Sequence, residues 1–304
     1  MKRDFLSVTD FTADEIRRNL ELAIEVKKKT ARGESPNVLR GGVGALIFHK
    51  ASLRTRCSFE VGFRQLGGSA VYITDKEIQL GKRESIYDVS KVMSRYFVAI
   101  CIRTFSHEQV TELARHSDVP VVNMLTDLLH PCQLMGDMQT VLEHKGRIDD
   151  LRVAYLGDGN NLANSWMRMA QRIPIDLRIG TSPQTEPDAG VLAETRAAGV
   201  SEVRVVHDAA EAVAGADVIY TDVWASMGEK DKSKERARLL EGFRVDEKLV
   251  SLAADDAIVM HCLPAERGRE ITDGVMDGPH SVVFDQAENR LHAQKAVLIA
   301  LLGD

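Results

Sequence analysis

The stretch VGALIFHKASLRTRCSFEVGF, residues 43–63, decides how the rest of the chain is read. Its first six residues, Val43 to Phe48, form a continuous apolar run of strand length. Beyond Ser52 the period changes, with Phe59, Phe63 and Leu66 recurring at helical spacing until Gly67-Gly68 stops the helix. A strand that hands over to a helix through a short polar turn is half of a βαβ unit and predicts a parallel sheet. The turn also crowds Lys50, Arg54 and Arg56 into a chain whose net charge is -6. Basic residues in a first helical turn oppose the helix dipole unless an anion lies there. Two readings follow: a Ser-capped, solvated helix start, or an anion socket in which Ser52, Arg54 and Thr55 add donors to the backbone N–H groups.

Working outward, the alternation of strand and helix persists. Thr12-Ala13-Asp14-Glu15 is a capping box ahead of a helix with Ile16, Leu20, Ala23 and Ile24 on one face. Further strands are predicted at 70–73, 97–103 and 120–124, with Ser85 and Ser106 as N-caps of the helices between them. A helix after Gln133 ends near Gly146. A second series of strands follows at 152–156, 176–179, 202–206, 216–221, 257–261 and 281–284. Residues 296–302 are apolar on almost every side and predict a buried closing helix. The fold class is therefore α/β with two domains, 1–147 and 148–287, each a parallel sheet flanked by helices. Residues 288–304 are expected to pack back onto the first domain, with the active site in the cleft between the two. Residues 224–238 are polar and too long for an ordinary connection, which predicts a lid or binding loop.

The composition, 44% hydrophobic and 28% charged, is that of a globular protein. No apolar run approaches the ~20 residues that span a bilayer, and the first residues show no secretory pattern. An acidic chain without a long basic stripe does not suit nucleic acid. Cys57, Cys101, Cys132 and Cys262 are scattered, without a Cys-x-x-Cys pair, which argues against a disulfide framework or structural zinc and predicts a cytoplasmic protein.

In open α/β sheets ligands bind beyond the carboxyl ends of strands, so polar residues at those places are the functional candidates. Arg103 ends a strand and is either a surface cap or a partner for an anion. His130 and Gln133, in His130-Pro131-Cys132-Gln133, open a helix; they are structural or can donate to a carbonyl oxygen. Gly157-Asp158-Gly159-Asn160-Asn161 begins like a dinucleotide fingerprint, but Leu162 stands where the third glycine belongs and no acid ends the next strand. Asn160 and Asn161 read instead as amide donors for a ligand carboxylate. Asp222 ends a strand and suits an amine, with Ser226-Met227-Gly228 just beyond it. His261-Cys262-Leu263-Pro264 ends another strand, and two adjacent residues lack the usual spacing of a metal site. Arg290 lies near the start of the predicted last helix.

These motifs, in this order, resemble the aspartate/ornithine carbamoyltransferase family over nearly the whole chain. The resemblance implies that Ser52, Leu53 (through its backbone), Arg54 and Thr55 hold the phosphate of carbamoyl phosphate. It implies that Arg103, His130 and Gln133 gather the carbamoyl and phosphate oxygens, helped by Arg290 and the Cys262-Leu263 backbone. Gln79 matches a glutamine that reaches a neighbouring subunit's site. Asn161, Asp222, Ser226 and Met227 would bind L-ornithine, with Cys262 beside the reacting amine. The expected reaction is carbamoyl transfer to the δ-amine, giving L-citrulline and phosphate as in arginine biosynthesis. Arg103, His130, Asp222 and Cys262 would be the catalytic set, with no metal and no organic cofactor. The resemblance also implies a homotrimer or a multiple of it, and no nucleic acid or membrane partner. Two departures stand out: Leu53 replaces a common threonine, and Gly268-Arg269-Glu270 replaces Gly-Glu-Glu. The alternatives are another amine acceptor, such as putrescine or an N-acylated ornithine, or a non-catalytic relative that binds anions. Aspartate would need cationic partners that residues 222–228 do not offer.

Overall fold

Val43 to Phe48 form a strand because five of the six residues are buried, and the glycine among them makes room for the following helix. A Cβ on Gly44 would lie 2.2 Å from the ring of Phe63, so the helix can press its aromatic face onto the strand there. The computed structural model describes residues 2–224 and 230–303. They fall into two compact units, Met1–Gln139 with Glu288–Asp304, and Thr140–Ala287.

Unit 1 runs α1 (Ala13–Ala31), β1 (Val43–Phe48), α2 (Leu53–Gln65), β2 (Ser69–Thr74), α3 (Asp75–Ile78), α4 (Ile86–Tyr96), β3 (Ala99–Arg103), α5 (His107–His116), β4 (Val121–Leu125) and α6 (Pro131–Lys145). The strands are parallel in the order β2-β1-β3-β4. Thr12 and Glu15 form the capping box of α1. The buried stripe of that helix is Ile16, Asn19, Leu20, Ala23 and Val26, whereas Ile24 is half-buried. Residues 97–98 precede β3 because Phe97 caps α4.

Unit 2 runs β5 (Leu151–Leu156), α7 (Asn161–Ala170), β6 (Ile175–Gly180), α8 (Ala189–Ala198), β7 (Glu202–Val206), α9 (Ala209–Val213), β8 (Val218–Thr221), α10 (Lys230–Leu240), α11 (Glu247–Val250), β9 (Ile258–His261), α12 (Asp273–Met276) and the start of α13 (Val283–Leu302). Its parallel strands lie in the order β7-β6-β5-β8-β9. Leu156, Ala212, Ile219, Trp224, Phe243 and Val259 belong to a core cluster against this sheet.

Three sequence expectations are corrected. Residues 281–284 are not a strand: Ser281 makes one bridge to Val259, and α13 begins at Val283. Arg290 therefore lies two turns inside α13 rather than at its start. Residues 224–238 are not one long loop, since Lys230–Leu240 is helical. The closing helix is buried at Ala296, Val297 and Leu298, as the apolar run predicts, and polar side chains ahead of them share that depth. Lys295 is 0% exposed, and its Nζ donates to Thr30 Oγ1 and Gln65 Oε1, each at 2.7 Å. Asn289 Oδ1 accepts from Lys27 Nζ at 2.8 Å and Gln139 Nε2 at 3.1 Å. Residues 299–302 are partly open to solvent.

No helix among the described residues is long and apolar enough to cross a membrane. Strand order reverses between β1 and β3 in unit 1, and between β5 and β8 in unit 2. Crevices at such reversals are where ligands enter folds of this kind.

Candidate active site

In unit 1 the reversal is lined by cations. Ser52 caps α2: its Oγ accepts from Thr55 N at 3.3 Å and donates to Thr55 Oγ1 at 3.1 Å. Thr55 Oγ1 also accepts from Arg290 Nη2 at 2.9 Å, which joins the start of α2 to α13. That approach depends on Gly136 in α6, where a Cβ would stand 3.1 Å from Arg290 Cα. The Leu53 side chain is 77% exposed, so its backbone is what faces the helix start. Arg54 is half-buried, and Arg103 is buried at the end of β3, where its register with β4 shifts. Arg56 turns away, pairing with Glu60 at 2.8 Å and stacking over the Tyr72 ring at 4.0 Å.

His130 is buried just ahead of α6. Burial and then the guanidinium groups of Arg290, Arg103 and Arg54 hold its pKa well below the usual histidine value. Arginines from three elements thus act electrostatically on one imidazole held neutral, which can donate its single N–H. Gln133 is buried in the first turn of α6 and donates from Nε2 to Asp137 Oδ1 at 2.7 Å. Its Oε1 has no hydrogen-bond partner among the described residues, which leaves a buried acceptor for an N–H group. Gln79 stands apart, exposed at the end of α3 with a left-handed backbone at φ 41°.

In unit 2 the reversal is lined by a carboxylate. Asp222 follows β8 and is buried. Its Oδ1 accepts from Val223 N at 2.8 Å and from the Cys262 thiol at 2.9 Å, and its Oδ2 accepts from Asn160 Nδ2 at 2.9 Å. Asn161 is half-buried as the first residue of α7. Asn160, read from the sequence as an amide donor for a ligand carboxylate, caps α7 and donates to the Asp222 carboxylate. Ser226 and Met227 lie outside the described residues. Cys262 is half-buried after β9, and Leu263 takes a left-handed φ of 57°. His261 fixes that turn. Its Nδ1 accepts from Leu263 N at 2.8 Å, so Nε2 carries the proton and donates to the fully buried Glu270 at 3.1 Å.

Asp222, His261 and Cys262 each bring a potential ligand atom within 4.8 Å of the others. The donor set does not suit a metal, because both His261 nitrogens are engaged elsewhere and the Cys262 thiol serves Asp222. Three positions that the sequence reading left without a role therefore contribute to the site: Gly136, His261 and Glu270. A glycine inside the helical run 131–145 was the available signal for the first; the buried His–Glu pair left none in the pattern of hydrophobicity.

Residues 3–143 match the family described as aspartate/ornithine carbamoyltransferase, carbamoyl-P binding domain, and residues 149–301 match its Asp/Orn binding domain. The chain belongs to the aspartate/ornithine carbamoyltransferase family. Within that family it is similar to an ornithine carbamoyltransferase of Carboxydothermus hydrogenoformans, 50% identical over 99% of this chain and 98% of the relative. An ornithine carbamoyltransferase of Syntrophus aciditrophicus is 47% identical over 99% of this chain and 100% of its own length. Among solved structures, the ornithine carbamoyltransferase of Pyrococcus furiosus superposes with a TM-score of 0.94 at 45% identity, covering 99% of this chain and 97% of the other. The family's two domain descriptions thus span both sheets and both clusters.

Proposed function

We propose that the protein is an ornithine carbamoyltransferase, moving the carbamoyl group of carbamoyl phosphate to the δ-amine of L-ornithine to give L-citrulline and phosphate. The observation that carries the reading is the opposite charge of the two clusters. The three arginines whose charges act on His130 in unit 1 suit the mixed anhydride of carbamic and phosphoric acids. The Asp222 carboxylate and Cys262 thiol in unit 2 suit an acceptor with a cationic side chain.

In this scheme the Ser52–Thr55 turn, Arg54 and Arg290 hold the phosphate, with the Leu53 backbone at the helix start. Arg103 and neutral His130 donate to the carbamoyl oxygen. Gln133 Oε1 and the Cys262 and Leu263 backbone carbonyls accept from the carbamoyl NH2. Asn161, Asp222, Ser226 and Met227 hold ornithine. The neutral δ-amine attacks the carbamoyl carbon, negative charge builds on the oxygen facing Arg103 and His130, and the C–O bond to phosphate breaks. Preorganised donors at that oxygen supply much of the rate, and holding both substrates together supplies much of the rest. The attack requires the two clusters to act on one pair of substrates. The amine must first lose its proton, and Asp222 and Cys262 are the groups beside it.

The test is an acceptor panel with carbamoyl phosphate. Citrulline should form from ornithine faster than product forms from putrescine, N-acetylornithine or aspartate. Rapid turnover of another acceptor without citrulline would reassign the substrate and keep the reaction class; no turnover with any acceptor would favour the anion-binding relative.

We further propose a homotrimer, with Gln79 reaching a neighbour's phosphate site. Unit 1 exposes Leu53, Tyr87, Val92, Tyr96 and Phe105, side chains that a neighbouring subunit would cover in such an assembly. Light scattering of the purified protein measures the assembly. The buried thiols Cys101 and Cys132 suit the reducing cytoplasm, where we place the reaction.

A further inference from the structure

We propose that Asn160, backed by Tyr155, is a positioning residue that aims the Asp222 carboxylate at the acceptor amine. The inference rests on the reading of Asp222 as an acceptor-binding group. Asn160 Oδ1 accepts from Leu162 N at 2.8 Å, Ala163 N at 3.4 Å and the Tyr155 hydroxyl at 3.0 Å. Backbone N–H groups can only donate, so the amide oxygen must face them, and the NH2 end is the one left to meet Asp222 Oδ2 at 2.9 Å. The amide cannot turn over without losing the cap.

The consequence reaches across three neighbouring strands. Tyr155 lies in β5, directly opposite Tyr220 of β8, and their rings stack at 5.8 Å between centroids. Asn160 follows β5, Asp222 follows β8 and Cys262 follows β9. One amide therefore bridges the strand reversal, while Val223 N and the Cys262 thiol hold the other carboxylate oxygen. With both oxygens anchored the carboxylate plane is set, and a carboxylate has lone pairs left for a further donor. Tyr155 is fully buried, and its hydroxyl is shared between Asn160 and the Asp158 carbonyl, each at 3.0 Å. Burial keeps it a phenol, since its pKa is pushed well above the usual value.

The plainer explanation is that Asn160 only caps α7. A cap uses the oxygen and has no use for the bond to Asp222, and aspartate or serine would cap equally well. That difference gives the experiment. Asn160→Asp and Asn160→Ser both keep a capping oxygen, but the first sets a second carboxylate against Asp222 and the second removes the donor. The titratable groups near Asp222 among the described residues are Cys262, His261 and Tyr155, with Asp158 engaged by Arg236.

In the enzyme Asn160→Ser should melt close to the wild type, Asn160→Asp should melt lower near neutral pH and recover as the pH falls, and both should keep the wild-type KM for carbamoyl phosphate. For ornithine, kcat/KM should fall about tenfold in Asn160→Ser and about a hundredfold in Asn160→Asp near neutral pH, with a new inflection in the Asp pH profile, because two close carboxylates do not both ionise readily. Tyr155→Phe should give a loss of under about tenfold, the two backbone donors remaining. Wild-type ornithine kinetics and pH profile in both Asn160 variants would overturn the inference. A second readout needs no substrate: the pH at which Cys262 is alkylated, followed by mass mapping, should rise in Asn160→Asp because the pair beside the thiol gains negative charge. An unchanged alkylation profile also overturns the inference. A wild type that fails to make citrulline sinks the functional reading instead, and the alkylation result then judges the Asn160–Asp222 coupling.

Discussion

The cationic cluster of unit 1 and the acidic cluster of unit 2 occupy matching places, just past the strand ends where strand order reverses, yet they are held in different ways. The cationic cluster draws on distant parts of the chain: Arg290 reaches Thr55 across 235 positions of sequence. Its like charges are brought together by packing, through the close pass of α13 over Gly136. The acidic cluster is held by hydrogen bonds among the ends of β5, β8 and β9, with Asp222 fixed by a backbone N–H, a thiol and an amide. The first gathers three like charges that a bound anion would offset, and the second already engages both carboxylate oxygens in its own polar contacts. Binding should therefore stabilise unit 1 more than unit 2.

Four experiments can break or sharpen that contrast. The largest effect is expected from Arg103→Ala, which on the proposed reading removes a donor at the developing oxyanion and should lower kcat by about 100- to 1000-fold, or about 3–4 kcal/mol. Steady-state rates should show this while ornithine affinity holds; a loss confined to ornithine KM would move Arg103 out of the donor side. Next is Asp222→Asn, which should weaken ornithine by roughly tenfold to a hundredfold, the worth of a charged hydrogen bond of about 1.5–3 kcal/mol. Calorimetry with an ornithine analogue checks it, and carbamoyl phosphate binding should not change.

Gly136→Ala ranks third. In an open helix the change would stabilise by about 1 kcal/mol, but here the new Cβ meets Arg290 Cα and Cγ at 3.1 Å and its N at 3.2 Å. A loss of about 1–3 kcal/mol from overpacking should win, with a raised KM for carbamoyl phosphate. A variant more stable than the wild type would remove the close-pass argument.

The smallest catalytic effect belongs to Lys295→Met. Burial lowers the Lys295 pKa from 10.5 to about 8. Between those values the unfolded chain binds the proton more readily, so the penalty for burying the ammonium is full below about pH 8 and eases as pH rises. Thermal midpoints of the wild type should carry that upward contribution with pH, and the variant should lack it with kcat nearly intact. Identical pH slopes in both proteins would refute the assignment.

The alternation of strands and helices was legible because strand runs and helical faces differ in period, and Ser52, Ser85 and Ser106 cap helices where the sequence said they would. The candidate residues were legible as strand-end positions, although their roles rest on chemistry that periodicity does not report. Residues 281–284 misled because Val282-Val283 suits a strand or a helix equally, and tertiary packing on β9 allows one bridge only. The depth of α13 was hidden because its buried face carries Gln286, Asn289, Arg290, His292 and Lys295, which a hydrophobic pattern scores as exposed. The bond from Asn160 to Asp222 was hidden for a similar reason. An amide's partners are set by which backbone it caps, and Asp222 is 62 positions away.

The place of Arg290 has a bearing on how the molecule is made. Unit 1 is completed by a helix translated after the whole of unit 2, so a nascent chain holding residues 1–139 has Arg54 and Arg103 but not Arg290. It also lacks the partners that Lys27, Thr30, Gln65 and Gln139 find on α13. On the proposed reading, the phosphate end of the site is a late product of synthesis, and a ribosome stalled within unit 2 carries a first unit that still lacks Arg290.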